Sequence, residues 1–290
     1  MVFTGIETIG NVISDDEMAS TDSDIINKTL PTEKIQIVLV LEYDGSCYNG
    51  FQLQKAQPTI QGEIEEALEK LTGDSIRVIA ASRTDSGVHA YRQVVSFKTK
   101  SNLEKRAFID GLNYYLPGDI AVRAAYQTGS SFRVRGWATS REYKYYILNS
   151  ATRSPLWKGY SYLVKGQLDV EAMNLAAKSL IGTHDLISFA SNLGVALKST
   201  SHCIYRSEFL RDGDFVVFSI EANSFLPHQV RNTVGSLIQV GLGKIDIEQF
   251  SEIIQARKIG LAGPAAPARG LFLVNVKYKR ELEEYDIENL

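Results

Sequence analysis

The residues best suited to chemistry lie in one short polar segment, residues 82–89, which reads SRTDSGVH. It places the guanidinium of Arg83 two positions from the carboxylate of Asp85, and Gly87 can adopt the positive φ of a tight turn. A nearby arginine would keep Asp85 ionised at neutral pH, because a positive charge favours the carboxylate. Asp85 would then be a nucleophile or a base. The alternative is an ordinary surface turn with a local ion pair.

A second polar cluster, residues 223–232, reads NSFLPHQVRN and enters an apolar helix predicted over 226–242. The first turn of a helix has free N–H groups and the positive end of the dipole, which suits a phosphate. His228 and Arg231 are three residues apart and share a helix face, so both can contact one phosphate or carboxylate. The alternative is a helix cap with solvated polar residues.

The third candidate is the strand-like run REYKY at residues 141–145. Strand alternation sends Arg141, Tyr143 and Tyr145 to the same face of a sheet. Aromatic rings on a sheet can stack on an exposed base, which contributes roughly 1 to 3 kcal/mol per base. Tyrosines at the rim of a core are the alternative. In the same way, Phe51 and Gln52 are either a wedge between base pairs or a simple turn.

Other chemistries find little support in the sequence. His184 and His202 have no ligand spacing, and Cys47 and Cys203 lie too far apart for a CxxC pattern or a Cys/His cluster. We therefore expect neither a zinc site nor a disulfide framework. Phosphate-loop, dinucleotide-binding and zinc-protease motifs are absent, so we expect no nucleotide cofactor and no metal.

The composition indicates a globular protein of 290 residues with 44% hydrophobic content, enough for one large or two medium domains. The N-terminus lacks a basic region, and no run of about 18 uncharged apolar residues occurs. We therefore expect no export signal, no membrane span and a cytoplasmic location, in agreement with the two isolated cysteines.

The charge distribution is uneven. Formal net charge is -3, but residues 1–34 and residues 281–290 carry -5 each, which leaves +7 on residues 35–280. A moderate positive surplus of this kind can line an RNA groove. The alternative is a mildly basic globular body.

The elements of the first half place the segment 82–89 between two strands. The order is β-α-β-β-α-β, that of a ferredoxin-like unit whose antiparallel sheet leaves one face free for RNA. The predicted elements are a strand at 35–41, a helix at 59–71, strands at 76–81 and 93–97, a helix at 104–115 and a strand at 120–126.

The second half loosely repeats this order. Its predicted elements are a long strand-like stretch at 132–148, a helix at 169–180, strands at 203–210 and 215–221, helices at 226–242 and 247–257, and a strand at 271–278. We predict an α+β fold in which two ferredoxin-like α/β halves share a continuous, mostly antiparallel sheet. The expected divisions are a flexible acidic extension (1–34), halves at 35–133 and 134–280, and an acidic tail (281–290).

Together these segments resemble the TruA family of tRNA pseudouridine synthases, whose motifs read close to GRTDAGVHA, RxYxY and FLxHxVRN. The likeness covers residues 35–279 and preserves order and spacing. The chain departs at Ser82, where glycine is usual, and at Ser86, where alanine is usual. Both changes replace one small residue by another. The resemblance implies the pseudouridine synthase fold.

The resemblance also implies roles for individual residues. Asp85 is the expected catalytic aspartate and Arg83 its ion-pair partner and RNA contact. Tyr143 is the expected active-site tyrosine, and Arg231 the arginine near phosphate and aspartate. The further expected substrate contacts are Phe51, Gln52, His89, Arg141, Phe225, Leu226 and His228.

The implied reaction isomerises uridine to pseudouridine in tRNA without a cofactor or metal. Asp85 would either add covalently or remove the ribose C2′ proton to give a glycal, and Tyr143 would pack against the base and assist removal of the C5 proton. The implied partners are the anticodon arm of tRNA, at nucleotides 38 to 40, and a second subunit in a homodimer. A non-catalytic RNA-binding protein and a glycosidase, which needs two carboxylates, are the alternatives.

Overall fold

The computed structural model describes residues 34–191 and 199–286. The predicted N-terminal extension therefore lies outside the described residues up to position 33, as do residues 287–290 of the acidic tail. Within the described ranges, none of the helices combines the length and the apolar character needed to cross a membrane.

The first half follows the predicted β-α-β-β-α-β order. It contains strands β1 (Ile35–Tyr43), β2 (Ile79–Ala80), β3 (His89–Thr99) and β4 (Ile120–Thr128), and helices α1 (Ile60–Thr72) and α2 (Lys105–Tyr115).

The second half contains more strands than the sequence patterns predict. Its strands are β5 (Ser140–Asn149), β6 (Tyr162–Val164), β7 (Gly182–Asp185), β8 (Ser201–Asp212), β9 (Phe215–Ala222) and β10 (Leu271–Lys277). Its helices are α3 (Val170–Lys178), α4 (Gln229–Gly241) and α5 (Ile247–Ala256).

Within the described residues these strands form one sheet of ten strands. The order is β4-β1-β3-β10-β5-β9-β8-β7, with β2 beside β3 and β6 beside β5. Two of the pairings, β10 with β3 and β6 with β5, are parallel, and the others are antiparallel. The prediction of an α+β fold on a continuous, mostly antiparallel sheet is confirmed.

Strand β10 joins the two halves. Its residue Leu273 pairs with Ala90 of β3 on one side and with Tyr143 of β5 on the other. Leu273 is fully buried, as expected for an apolar residue on a central strand. One strand therefore separates Tyr143 from the start of β3, which directly follows the polar segment 82–88.

The helices pack in two groups. Helix α1 is capped at its N-terminus by Thr59, whose side chain accepts the Gly62 N–H. It is capped at its C-terminus by Gly73, which adopts φ 75°. It packs against α2, which lies on β4. Helix α3 packs against β8 and contacts both α4 and α5. Each group buries the apolar face of its helices.

Three predicted elements differ from the structure. The strand-like stretch 132–148 becomes a strand only at Ser140, because the Trp137 N–H donates to the Arg133 carbonyl and closes a turn before it. The predicted strand 76–81 is reduced to β2. The helix predicted from residue 226 begins at Gln229, because His228 adopts the left-handed region with φ 60°. Strands β6 and β7 are too short to produce a recognisable alternation.

Part of the predicted acidic tail is folded. Residues 282–285 form a 3-10 turn in which Leu282 is buried. Asp286 is 2% exposed, and its carboxylate lies 2.6 Å from the Lys105 ammonium group. Asp286 also forms a β-bridge with Thr128 of β4. A paired, buried carboxylate anchors the segment 281–286 to the first half.

Gly235→Ala should destabilise the fold. A Cβ at this position of α4 would lie 1.9 Å from the Pro264 carbonyl oxygen, and forcing an extra carbon into such a contact costs about 1 to 3 kcal/mol. Gly118→Ala is the control, since nothing lies within 4 Å of a Cβ there. Denaturant unfolding compares both with the wild type. Equal midpoints for Gly235→Ala and wild type would contradict the close approach.

Candidate active site

A cleft of about 790 Å³ receives side chains from both halves of the chain. Its lining includes the charged side chains of Asp85 and Arg231. It also includes the aromatic and apolar side chains of Tyr143, Phe225 and Leu226. A cleft with both properties can hold a nucleotide, whose ribose and phosphate are polar and whose base is flat and less polar.

The backbone of the polar segment is fixed by the residues that precede α1. The Phe51 N–H donates to the Thr84 carbonyl at 3.0 Å, and the Gly87 N–H donates to the Tyr48 carbonyl at 3.3 Å. Gly87 adopts φ 74°, which closes the turn that the sequence predicts. The loop is therefore held from outside while the Asp85 side chain stays 27% exposed.

A buried hydrogen-bond network holds the start of the same loop. The fully buried Gln93 side chain accepts the Ser82 N–H at 3.3 Å and donates to the Ser82 carbonyl at 2.8 Å. Beside it, the hydroxyls of Tyr43 and Thr84 are 2.8 Å apart. Buried polar groups that are satisfied in this way restrict a loop to one conformation.

Asp85 contacts two basic side chains from the start of α4. Its Oδ2 lies 3.4 Å from Arg231 Nη1 and 3.7 Å from His228 Nε2. Both residues reach the same oxygen, as their three-residue spacing predicts. The distances exceed those of a tight charged hydrogen bond, so the carboxylate keeps lone pairs for a substrate. Apo active sites often have such long contacts, which shorten when the substrate binds.

Local contacts position these two basic residues. Arg231 Nε donates to the Ala266 carbonyl at 2.9 Å, and the Ala266 N–H donates to the Arg231 carbonyl at 3.0 Å. His228 Nδ1 lies 2.8 Å from the Ser191 hydroxyl. The positive φ of His228 is unusual for a residue with a Cβ, and such backbone strain is found at functional sites.

Tyr143 lines the cleft beside Phe225. It is 6% exposed, its ring packs edge-on against Phe225 with 5.2 Å between centroids, and its hydroxyl lies 2.9 Å from the Ser82 hydroxyl. Burial raises the pKa of Tyr143 to about 12. The hydroxyl therefore stays protonated at neutral pH. Ser82, at the position where the family usually has glycine, thus contacts the hydroxyl of this tyrosine.

Arg141 has a different environment from the one expected of an RNA contact. It is 7% exposed although it borders the cleft. Its guanidinium donates to four backbone carbonyls, those of Ala81, Arg135, Ala138 and Asn223, at 2.8 to 3.2 Å. These carbonyls come from three separate segments of the chain. With its donors used in this way, Arg141 holds these segments together and has few donors left for a phosphate.

Arg83 also differs from expectation. Asp85 pairs with Arg231 and His228, and no ion pair between Arg83 and Asp85 occurs among the described residues. Arg83 is exposed and lies at the rim, where the cleft meets a second depression. The side chain of the intervening Thr84 turns inward to Tyr43, 41 residues away in sequence, so distant contacts set the conformation of this loop.

Two other expected contacts are buried away from the cleft. His89 is 1% exposed, stacks on Phe272 with 4.5 Å between centroids, and has its Nε2 3.2 Å from the carbonyl oxygens of Gly159 and Arg269. Phe51 is 1% exposed and packs against Tyr43. Both are core residues, whereas Gln52, Phe225, Leu226 and His228 do line the cleft.

Sequence reasoning missed Ser82, Gln93 and Arg135 as parts of the site. Gln93 carried a signal, since a polar residue at the start of the apolar run QVVSF must find hydrogen-bond partners if buried. Arg135 fell within the predicted strand-like stretch 132–148, and the structure forms no strand at that position. The Ser82 contact depends on Tyr143, 61 residues away, and had no local signal.

Asp85 stands out chemically. Of the cleft-lining residues in the described part of the chain, it is the one with a carboxylate. Across residues 34–191 and 199–286, no group of three or more His, Cys, Asp and Glu side chains gathers where a metal ion could bind. Chemistry at this site would therefore centre on one carboxylate surrounded by basic and aromatic side chains.

Comparison with solved structures gives a weak match. A structure titled "Crystal Structure of a Cbf5-Nop10-Gar1 Complex" aligns over 84% of this chain and 50% of that chain, with 12% identity and a TM-score of 0.38. That score is too low to establish a shared fold.

Sequence comparison is far more specific. A family model described as tRNA pseudouridine synthase matches residues 39–135 and 176–279. Curated relatives named tRNA pseudouridine synthase A include one from Geotalea daltonii, 41% identical over 83% of this chain and 99% of the relative. Another, from Blochmanniella pennsylvanica, is 43% identical over 84% of this chain and 93% of the relative. The chain belongs to the tRNA pseudouridine synthase A family.

Proposed function

We propose that Asp85 is the carboxylate with which this protein isomerises uridine to pseudouridine in the anticodon stem-loop of tRNA, at nucleotides 38 to 40. Family membership makes the protein a pseudouridine synthase that acts on tRNA. The observation that supports Asp85 most directly is its position, as the cleft carboxylate faced by Arg231 and His228.

The reaction requires little beyond one ionised carboxylate. The N-glycosidic bond between ribose C1′ and uracil N1 breaks, the uracil turns, and a C–C bond forms between C1′ and C5. Asp85 can act as a nucleophile at C1′ or as a base at C2′, and both routes return the carboxylate unchanged. The C5 proton leaves at the end and N1 takes up a proton, so the product is an isomer of uridine and no electrons or external group are exchanged.

Arg231 and His228 supply the electrostatic setting. A guanidinium 3.4 Å from Asp85 Oδ2 can orient the carboxylate and can also face a substrate phosphate. The donors are fixed before the substrate arrives, because Arg231 is also bound to the Ala266 carbonyl. Fixed charges of this kind stabilise charge that develops during the reaction.

Tyr143 provides both a surface and a proton donor or acceptor. Its protonated hydroxyl, paired with Ser82, lies in the cleft, where a flipped uracil would bind next to the Tyr143 ring. Extracting a base from its stack costs a few kcal/mol. Arg83 and Arg135 at the rim would offset part of that cost by binding the RNA backbone.

Two alternative functions fit the site less well. A glycosidase brackets the scissile bond with two carboxylates, and the described lining of the cleft contains Asp85 alone. A non-catalytic RNA-binding protein would have no need to bring Asp85, Tyr143 and Arg231 from both halves of the chain into one cleft.

We also infer that the protein acts as a homodimer, as the family likeness implies. An apolar stripe on the sheet supports this. Tyr91 and Tyr146 both contact the Phe272 ring at 5.2 Å, and Val217 pairs laterally with both Tyr146 and Leu210. Tyr91 is 47% exposed and Leu210 70%. Exposed contiguous apolar surface of this kind marks interaction sites.

Asp85→Asn should abolish pseudouridine formation and leave tRNA affinity within a few-fold of the wild type, because an amide is neither nucleophile nor base. Mass-spectrometric mapping of unmodified tRNA after incubation measures the product and its position together. Ser86→Ala, on the same loop, is the control and should retain activity. Appreciable product from Asp85→Asn would refute the assignment of Asp85, and product confined to other stems would refute the anticodon position.

Tyr143→Phe should bind tRNA nearly normally but react at least about 10²-fold more slowly, the usual contribution of a positioned proton-transfer group. The ring and its packing against Phe225 are kept, and only the hydroxyl next to Ser82 is lost. Tyr146→Phe is the matched control, since Tyr146 lies on the opposite face of β5. Single-turnover rates and tRNA dissociation constants separate the two effects. A wild-type rate in Tyr143→Phe would exclude the hydroxyl from the mechanism.

A further inference from the structure

A second depression of about 450 Å³ adjoins the catalytic cleft on the first half of the chain. The two share Gln52, Arg83 and Arg135, so they form one continuous surface. The remaining lining comes from the start of α1 and from the segment that leads into β2. These residues are Phe51, Leu53, Gln61, Arg77, Val78, Ile79 and Ala80.

Three arginines surround this depression. Among its described lining residues there is no carboxylate, and neither Arg83 nor Arg135 has an ion pair in the described part of the chain. Burial, and then the charges of Arg83 and Arg141, lower the pKa of Arg135. Positive charges that repel one another and lack an acidic partner are stabilised when an anion binds.

Arg77 lines the depression alone, whereas Arg83 and Arg135 also line the cleft. Its Nη1 lies 3.2 Å from Glu65, but the side chain is 63% exposed. An exposed ion pair of this kind contributes little to stability. The planar guanidinium keeps donors for a phosphate, which it can bind in a bidentate manner.

Apart from Gln52 and Gln61, the rest of the depression is lined by apolar residues. Ile79 is 57% exposed and Leu53 is 40% exposed, while Phe51, Val78 and Ala80 are buried beneath the surface. An anion site for a free ion has no need of an apolar wall. A wall next to guanidiniums matches a nucleotide, which presents a phosphate together with the carbon surface of a ribose or base.

We propose that this depression binds the tRNA strand beside the target uridine, with Arg77, Arg83 and Arg135 around a phosphodiester and with Ile79 and Leu53 against its sugar or base. The proposal rests on the proposed function only in taking tRNA as the ligand. Because Arg83 and Arg135 border both the depression and the cleft, the RNA strand would run from one to the other past these two side chains. The flipped nucleotide would enter the cleft while its neighbour occupies the depression.

The test compares two arginines in similar surroundings. Arg77 is 63% exposed and paired with Glu65 at 3.2 Å, and Arg123 is 64% exposed and paired with Glu42 at 3.5 Å, but Arg123 lines neither the cleft nor the depression. The dissociation constant of the full-length protein for tRNA is measured across a range of salt concentrations. Arg77→Gln should weaken binding several-fold and reduce the slope of log K against log salt by about one.

Arg123→Gln should leave the affinity and the slope at their wild-type values, and Arg77→Lys should retain most of the slope because it keeps the charge. Ile79→Ser should weaken binding without changing the slope, since it removes apolar surface and no charge. The proposal is overturned if Arg77→Gln behaves like Arg123→Gln.

Product formation by the wild-type protein shows whether the catalytic proposal or the phosphate-site proposal has failed. Pseudouridine from the wild type together with an unchanged slope in Arg77→Gln overturns the phosphate site alone. A reduced slope in Arg77→Gln together with a wild type that forms no pseudouridine overturns the catalytic proposal alone.

Discussion

The contact between Asp85 and Arg231 is the interaction on which the site depends, because it joins the two halves of the fold at the cleft. The residues are 146 positions apart in sequence, and each is fixed by its own half. Residues before α1 hold the loop of Asp85, and the Ala266 carbonyl holds Arg231. Strand β10 makes the meeting possible, since it lies between β3 and β5 and keeps the two halves in register.

The groups that hold this contact in place are buried and hydrogen-bonded. Gln93 binds both the N–H and the carbonyl of Ser82, and Arg141 binds carbonyls from three separate segments of the chain. Leaving such groups without partners would cost free energy, so they restrict the cleft to one arrangement. Asp85, His228 and Arg231 stay partly exposed on this rigid frame, which is what a precise site requires.

The sequence could predict several of the residues that line the cleft and the class of fold, because both depend on local patterns. Alternation placed Arg141 and Tyr143 on one face of β5, and helix spacing placed His228 and Arg231 on one side. How deeply each side chain is buried depends on partners that are distant in sequence. Arg141 is buried because carbonyls from residues 81, 135, 138 and 223 surround it, and His89 because it packs on Phe272. The pairing of Asp85 with Arg231 in place of Arg83 has the same non-local origin.

The most direct test of this account is the single-turnover rate of Arg231→Gln at saturating tRNA, measured together with its dissociation constant. If Arg231 acts on Asp85, the rate should fall by about 10² to 10³, as when one fixed electrostatic partner is removed from a reacting group, while affinity for tRNA stays within a few-fold. A wild-type rate at saturation, with the whole defect in the dissociation constant, would show that Arg231 only binds RNA and would contradict the account.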